Sequence, residues 1–272
     1  MTQARRAAVV GKPIAHSLSP TIHNAGYAAA GLTGWSYSRF ECDAAGLPGL
    51  VADLGPEWAG LSVTMPGKEA ALALADEVSP VAAAVSAANT LVRRPDGTWY
   101  ADNTDVVGMV DVLTATGVTS GATVTVLGAG GTARAAIAAA ARLAAKSVTV
   151  LARRPEAIDD LRPVAGALGV PMTGADLADA PAHLDADVVI STLPKGVADP
   201  FAQVTAWRPG TVCFDALYDP WPTPLAGSAQ AAGCPVVSGL DLLLAQAVGQ
   251  FEQFTGVPAP VEAMRAALTA AR

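Results

Sequence analysis

The chain is short of charge, of aromatic rings, of cysteine and of long unbroken apolar runs. Only 15% of its 272 residues are charged and 5% are aromatic, against 51% that are hydrophobic. A chain this apolar is not a disordered, solvating polypeptide. No apolar run approaches the ~18 residues that a membrane span needs. Arg5–Arg6 ahead of Ala-Ala-Val-Val-Gly resembles the start of an export signal, but Lys12 and Pro13 cut the apolar stretch short. The segment reads better as a first strand. Basic residues are outnumbered 17 to 24, for a net charge of −7. That argues against a broad nucleic-acid face, yet leaves room for a local basic pocket around a small anion. Cys42, Cys213 and Cys234 are odd in number, far apart and without a C-x-x-C pair. They read as buried thiols in a reducing cytoplasm, with neither a disulfide framework nor a zinc site. His16, His23 and His183 have no metal-ligand spacing. His16 and His23 are expected to serve as hydrogen bonders of a loop or a cap.

What the chain does have is strand and helix in alternation, which at this length allows one large core or two modest ones. Its clearest stretch is Val124 to Ala136, VTVLGAGGTARAA. An apolar run, Val124 to Leu127, reads as a buried parallel strand. Gly128, Ala129, Gly130 and Gly131 follow, and then Thr132 and Ala133 open a helical segment. Strand, glycine turn and helix make the first half of a dinucleotide-binding βαβ unit. Gly128 permits the tight turn, Gly130 lets backbone approach a pyrophosphate, and Ala133 takes the small position where helix packs on strand. The helix start offers N–H groups and a partial positive charge to phosphate. The next strand, Ser147 to Leu151, ends in Ala152-Arg153-Arg154. An acid there would bind a free ribose 2′-hydroxyl, whereas arginine suits a 2′-phosphate, so the cofactor reads as NADP rather than NAD.

The N-terminal third carries a second set of signals. The loop GKPIAHSLSP, residues 11–20, places Ser17 and Ser19 beside a helix start, an arrangement that suits a carboxylate. The strand from Gly60 ends at PGK, and Lys68 opens the next helix, where a cation opposes the helix dipole. Asp102, Asn103 and Asp105 crowd one helix start; one is wanted as a cap and three exceed that need. Gln246 interrupts the apolar run LDLLLAQAV and must find a partner if buried. The domain boundary is placed near Asn103 to Asp105, and the cleft between domains is the expected site.

Taken together and in this order, these segments resemble the shikimate dehydrogenase family over nearly the whole chain. PIAHSLSPTIHN is similar to that family's substrate-carboxylate loop and points to Ser17 and Ser19. SVTMPGK is similar to its catalytic lysine segment, with Thr64 and Lys68. AANTL matches its asparagine motif at Asn89, DNTD the segment ending in its catalytic aspartate at Asp105, and LGAGGTARA its NADP loop. LYDPWPTPL and GLDLLLAQAVGQFEQFTG match its late motifs at Ala216, Tyr218, Gly239 and Gln246. The chain departs from the family at Ser62 and Ala152, where Asn is usual, and at ISTLPKGV, with Ser191 and Val197.

The resemblance implies an α/β protein of two domains. Residues 1–103, with C-terminal helices 239–272 packing back on them, would bind substrate; residues 104–238 would form a Rossmann-type doubly wound domain for NADP. It implies reversible reduction of 3-dehydroshikimate to shikimate in aromatic amino-acid biosynthesis. Lys68 and Asp105 would be catalytic, with Ser17, Ser19, Thr64, Asn89, Tyr218 and Gln246 also at the substrate. The cofactor would meet Gly128 to Ala133, Arg153, Arg154, Ala216 and Gly239. The partners implied are this small molecule and no nucleic acid, membrane or metal, with a homodimer as the assembly considered. The other readings are a quinate/shikimate dehydrogenase, an NADP-sensing module without catalysis, and a folate-type dehydrogenase of similar plan. The presence of both Lys68 and Asp105 disfavours the sensor, and the serine loop and DNTD disfavour the last.

Overall fold

The computed structural model describes residues 4–271, and the chain divides into two compact units, Met1–Asp105 with Leu243–Arg272, and Val106–Leu242. The first unit begins with β1 (Arg5–Gly11), α1 (Ser19–Ala29), β2 (Trp35–Glu41), α2 (Leu47–Ala52), β3 (Trp58–Val63) and α3 (Lys68–Leu74). It continues through β4 (Glu77–Val78), α4 (Pro80–Val85), β5 (Thr90–Arg93) and β6 (Trp99–Asp102) to the start of α5 (Thr104–Ala115). The sheet order is β2-β1-β3-β5-β6-β4. β1 runs parallel to β2 and β3, while β5 is antiparallel to both β3 and β6. β3 is buried at every position of Trp-Ala-Gly-Leu-Ser-Val, as a strand covered on both faces must be.

The second unit holds β7 (Thr123–Leu127), α6 (Gly131–Arg142), β8 (Ser147–Ala152), α7 (Pro155–Asp159), α8 (Arg162–Leu168), β9 (Met172–Asp176), β10 (Val188–Ser191), β11 (Val212–Asp215), α9 (Pro224–Ala231) and β12 (Val236–Ser238). All its pairings are parallel, in the order β12-β11-β10-β7-β8-β9. The chain winds outward one way from β7 and the other way from β10, which is the doubly wound dinucleotide-binding topology. β9 has no counterpart in the sequence reading. Met-Thr-Gly-Ala-Asp lies at the sheet edge, where one face needs no apolar cover, so the hydrophobic signal is missing.

Helices α5 and α10 (Gly239–Thr255) carry the chain between the units. α10 belongs to the first unit from Leu243 onward, and α11 (Val261–Ala270) follows it there. Gly60 of β3 shows how closely α10 packs on that sheet: a Cβ there would run into the Phe254 ring and the Leu91 carbonyl. The divisions fall after Asp105 and Leu242, a few residues later than the sequence reading places them. Asp105 is held in the first unit by Lys68. The first turn of α10 is held in the second, where Asp241 accepts from the N–H and hydroxyl of Ser238.

His23 departs from its expected role as a loop or cap hydrogen bonder. It lies inside α1, fully buried, with its ring stacked on Tyr37 at 4.1 Å between centroids. Neither ring nitrogen has a hydrogen-bond partner. Burial holds its pKa down to about 3, and the nearby Gln250 side chain opposes the shift without making a hydrogen bond of normal geometry. Between pH 6.5 and 3 the unfolded chain therefore binds a proton that the folded chain refuses, and stability falls as pH falls across that window. Urea unfolding at pH 7, 6 and 5 should show His23→Phe losing less stability than wild type, by at most about 1.4 kcal/mol per pH unit. Parallel losses in the two proteins would remove His23 as the source.

Candidate active site

Strand register gathers most of the singled-out polar residues of the first unit at one end of its sheet. β1 and β3 are parallel neighbours, so the loops that leave their carboxyl ends lie side by side. The Thr64 N–H donates to the Val10 carbonyl, and the Lys12 N–H to the Met65 carbonyl. The first loop carries Ser17 and the buried Ser19 at the start of α1; Ser17 Oγ accepts from the Ser19 N–H at 3.3 Å. The second carries Thr64 and Lys68. Because β5 is antiparallel to β3, its beginning lies beside the end of β3, and the Val63 N–H donates to the Asn89 carbonyl at 2.7 Å. Because β6 is antiparallel to β5, its end returns to the same place, and the Asn89 N–H donates to the Asp102 carbonyl.

The first turn of α5 follows β6 directly, and this is what brings Asp105 to Lys68. Lys68 Nζ donates to Asp105 Oδ2 at 2.6 Å, with the two side chains 19% and 11% exposed. A lysine at a helix start is disfavoured by the dipole; the carboxylate supplies the compensating charge. A charge pair this sheltered depends on both members, since removing one strands the other at a cost of about 3–5 kcal/mol. What the pair offers chemically is a positioned ammonium that can give or take a proton while an anion holds it in place.

None of the three polar residues expected to cap α5 does so. Asp102 accepts from Ser79 and Gln253, Asn103 donates to the Ala87 carbonyl, and Asp105 is taken by Lys68. The cap comes from outside the segment. Asn89 Oδ1 accepts the Thr104 N–H at 2.8 Å, and Asn89 Nδ2 donates to Thr104 Oγ1 at 3.1 Å. Asn89 is thus 2% exposed and structural on one side, with one N–H left over for another acceptor.

Gln246 is 8% exposed and its Nε2 donates to the Leu243 carbonyl of its own helix. One turn further along α10 stands Gln250, which the sequence reading passed over. Its Oε1 accepts from Ser62 Oγ at 2.6 Å, and its Nε2 donates to the Asn89 carbonyl and to Thr90 Oγ1. The four-residue spacing from Gln246 was the available signal, because it places both amides on one helix face.

In the second unit the glycine turn joins β7 to α6, beside the end of β10. These are the two strands at which the winding reverses, the place where this topology binds its ligands. Gly128 has φ of +107°, and a Cβ there would also run into Thr192 Oγ1. Gly130 is different. It has extended backbone, and nothing of the protein lies within 4 Å of a Cβ built on it. Neither conformation nor packing asks for glycine at that position, so the free space is available to a ligand. α6 has no side-chain cap and no acid in its first turn, and Ala133 is fully buried behind it. Arg153 and Arg154 follow β8, both exposed, and neither has a partner among the described residues. The turn, the uncapped helix and the unpaired guanidiniums fit a phosphorylated dinucleotide.

Ala216 and Tyr218 follow β11, and Gly239 opens α10, its N–H donating to the Leu217 carbonyl. Asp215, fully buried, ties this loop down by accepting from the Leu217 N–H and from Thr223 Oγ1. Burial raises its pKa above the usual carboxylate value, and burial does the same to the Tyr218 phenol. Among the described residues no group of three or more His, Cys, Asp or Glu could hold a metal, and no helix is long and apolar enough to cross a membrane.

Comparison with known proteins gives one family. Residues 9–91 match the shikimate dehydrogenase substrate binding domain, and residues 239–269 match the shikimate 5'-dehydrogenase C-terminal domain. The NADP(+) shikimate dehydrogenase of Citrifermentans bemidjiense is 38% identical, over 97% of this chain and 94% of the relative. The crystal structure of Mycobacterium tuberculosis shikimate dehydrogenase is similar with a TM-score of 0.89 and 49% identity, covering 98% of this chain and 100% of the other. That of the Thermus thermophilus shikimate 5-dehydrogenase, in complex with NADP(H) and shikimate, has a TM-score of 0.85 and 31% identity, covering 98% and 100%.

The geometry makes Asn89 the cap of α5. Asn89→Ala would leave the Thr104 N–H without its acceptor, and the loss should be about 1–2 kcal/mol of stability with no ligand present. Urea unfolding of the two proteins measures it. Unchanged stability would mean that α5 starts without help from Asn89.

Proposed function

The chain belongs to the shikimate dehydrogenase family, and on that premise we propose that it catalyses the reversible NADP-dependent reduction of 3-dehydroshikimate to shikimate. One observation carries the assignment. The sheltered Lys68–Asp105 pair stands at the sheet end where the hydroxyl-bearing loops after β1 and β3 also lie.

Lys68 handles the proton. As the ring ketone becomes an alcohol, charge develops on its oxygen; the ammonium opposes that charge and gives its proton to the same atom. In the oxidation of shikimate the neutral amine takes the proton back. Asp105 keeps Lys68 aimed and offers an acceptor to a substrate hydroxyl. Ser17 and Ser19 donate to the substrate carboxylate, while Thr64, Asn89, Gln246 and Tyr218 serve its hydroxyls. NADPH supplies the hydride. For it, the turn from Gly128 to Ala133 and the start of α6 would hold the pyrophosphate, Arg153 and Arg154 would hold the 2′-phosphate, and Ala216 and Gly239 would serve the remainder. Three unpaired thiols suit a reducing cytoplasm.

Oxidation of NADPH in the presence of 3-dehydroshikimate, beside quinate and NAD controls, tests the assignment directly. In that assay Lys68→Ala should lower kcat by roughly 10²–10⁴ with little change in KM, since a general acid acts in the transition state. A folded Lys68→Ala protein with near-normal kcat would end the role given to this lysine.

The arginines give an independent check. Neutral replacement of both Arg153 and Arg154 should weaken NADP by ~1.5–3 kcal/mol per lost charge-assisted contact and leave NAD nearly unaffected. Equal losses for the two cofactors would refute the 2′-phosphate assignment.

A further inference from the structure

The mechanism makes no use of the most buried amide on α10. Gln246, Gln250 and Gln253 recur at intervals of four and three, and so share one helix face. Gln250 is 1% exposed and its amide is fully committed. Both of its N–H groups are given away, one to the Asn89 carbonyl at 3.0 Å and one to Thr90 Oγ1 at 3.1 Å. Its oxygen takes the Ser62 hydroxyl at 2.6 Å, and Ser62 in turn accepts from the Tyr37 phenol at 2.5 Å. The Asn89 carbonyl can only accept, so the amide cannot turn over, and its two ends are not interchangeable.

From Gln250 the path leads straight to the reacting groups. The carbonyl it holds belongs to Asn89, whose side chain caps α5 through the Thr104 N–H. Asp105 is the next residue of that turn, and Asp105 holds Lys68 at 2.6 Å. Ser62 and Thr90 are direct register partners on antiparallel strands. They could satisfy each other across the strand pair without Gln250, so the sheet itself does not need this amide.

We propose that Gln250 is a positioning residue: through Asn89 and the first turn of α5 it fixes where Asn89 meets substrate and where Asp105 holds Lys68. The inference deepens the proposed function and rests on it.

The test compares Gln250→Met, Ser62→Ala and Gln253→Met in the full-length protein. Each is assayed for kcat and KM with shikimate, for KM with NADP, and for melting temperature. Gln250→Met keeps length and removes every hydrogen bond; kcat/KM for shikimate should fall about tenfold or more while KM for NADP stays within about twofold. Ser62→Ala frees only one end of the amide and should give a smaller fall of the same kind. In the Gln250→Met background it should add nothing, because both act through one path. Gln253→Met removes an amide from the same face that contacts Asp102 rather than Asn89. It should lower the melting temperature with kcat/KM for shikimate within about twofold of wild type. Gln250→Met with kinetics like those of Gln253→Met overturns the positioning role. So does Ser62→Ala with unaltered kcat/KM, which decides the matter if Gln250→Met does not fold. Wild-type protein inert toward shikimate is a different failure, that of the proposed function.

Discussion

An ammonium at the start of a helix faces a partial positive charge, and Lys68 tolerates that position because Asp105 stands 2.6 Å away. Much of the first unit follows from keeping this pair together. Asp105 must sit in the first turn of a helix that begins where β6 ends. β6 must return to the end of β3, and Lys68 must open the helix that leaves it. An antiparallel β5 between those strands is what makes the return possible. The sheet is therefore mixed: its parallel half delivers two loops to one end, and its antiparallel half delivers a helix start to the same end.

Around that pair the polar groups are used twice. Asn89 is both an acceptor for the Thr104 N–H and the owner of one unspent donor. Asp102 ends a strand and receives Ser79 and Gln253. Burying such groups costs more than it returns unless each is paired, which explains why an amide from α10 reaches into this corner of the sheet. The second unit solves a simpler problem. Six parallel strands and a reversal between β7 and β10 leave one crevice at the carboxyl ends of the strands. The glycine turn, the bare helix start and the two arginines are all local consequences of β7 and β8 ending there.

Legibility in the sequence follows this difference. The run from Val124 to Ala136 reads correctly because strand, turn and helix are covalently consecutive, and a buried parallel strand announces itself as an apolar run. Arg153 and Arg154 are placed for the same reason, as the two residues that directly follow β8. The cap of α5 did not read: three suitable residues stood at its start, and the acceptor came from Asn89 fifteen residues before Thr104. His23 looked like an ordinary polar residue and proved fully buried under an aromatic stack. Its surroundings, Tyr37 of β2 and Phe251 and Phe254 of α10, come from two other segments of the chain. β9 was missed because an edge strand need not be apolar.

The sequence by itself therefore determined the two-part α/β plan, the glycine turn between strand and helix, and the family. Each of these depends on residues that are neighbours along the chain or on a motif order that spans it. Tertiary structure alone decided other meetings: Asn89 with Thr104, and Gln250 with Ser62 across 188 positions. The physical reason is register. Alternation of apolar and polar residues says which face of a strand is buried, but not which residue of the next strand lies opposite. A hydroxyl or amide finds its partner only when that choice has been made.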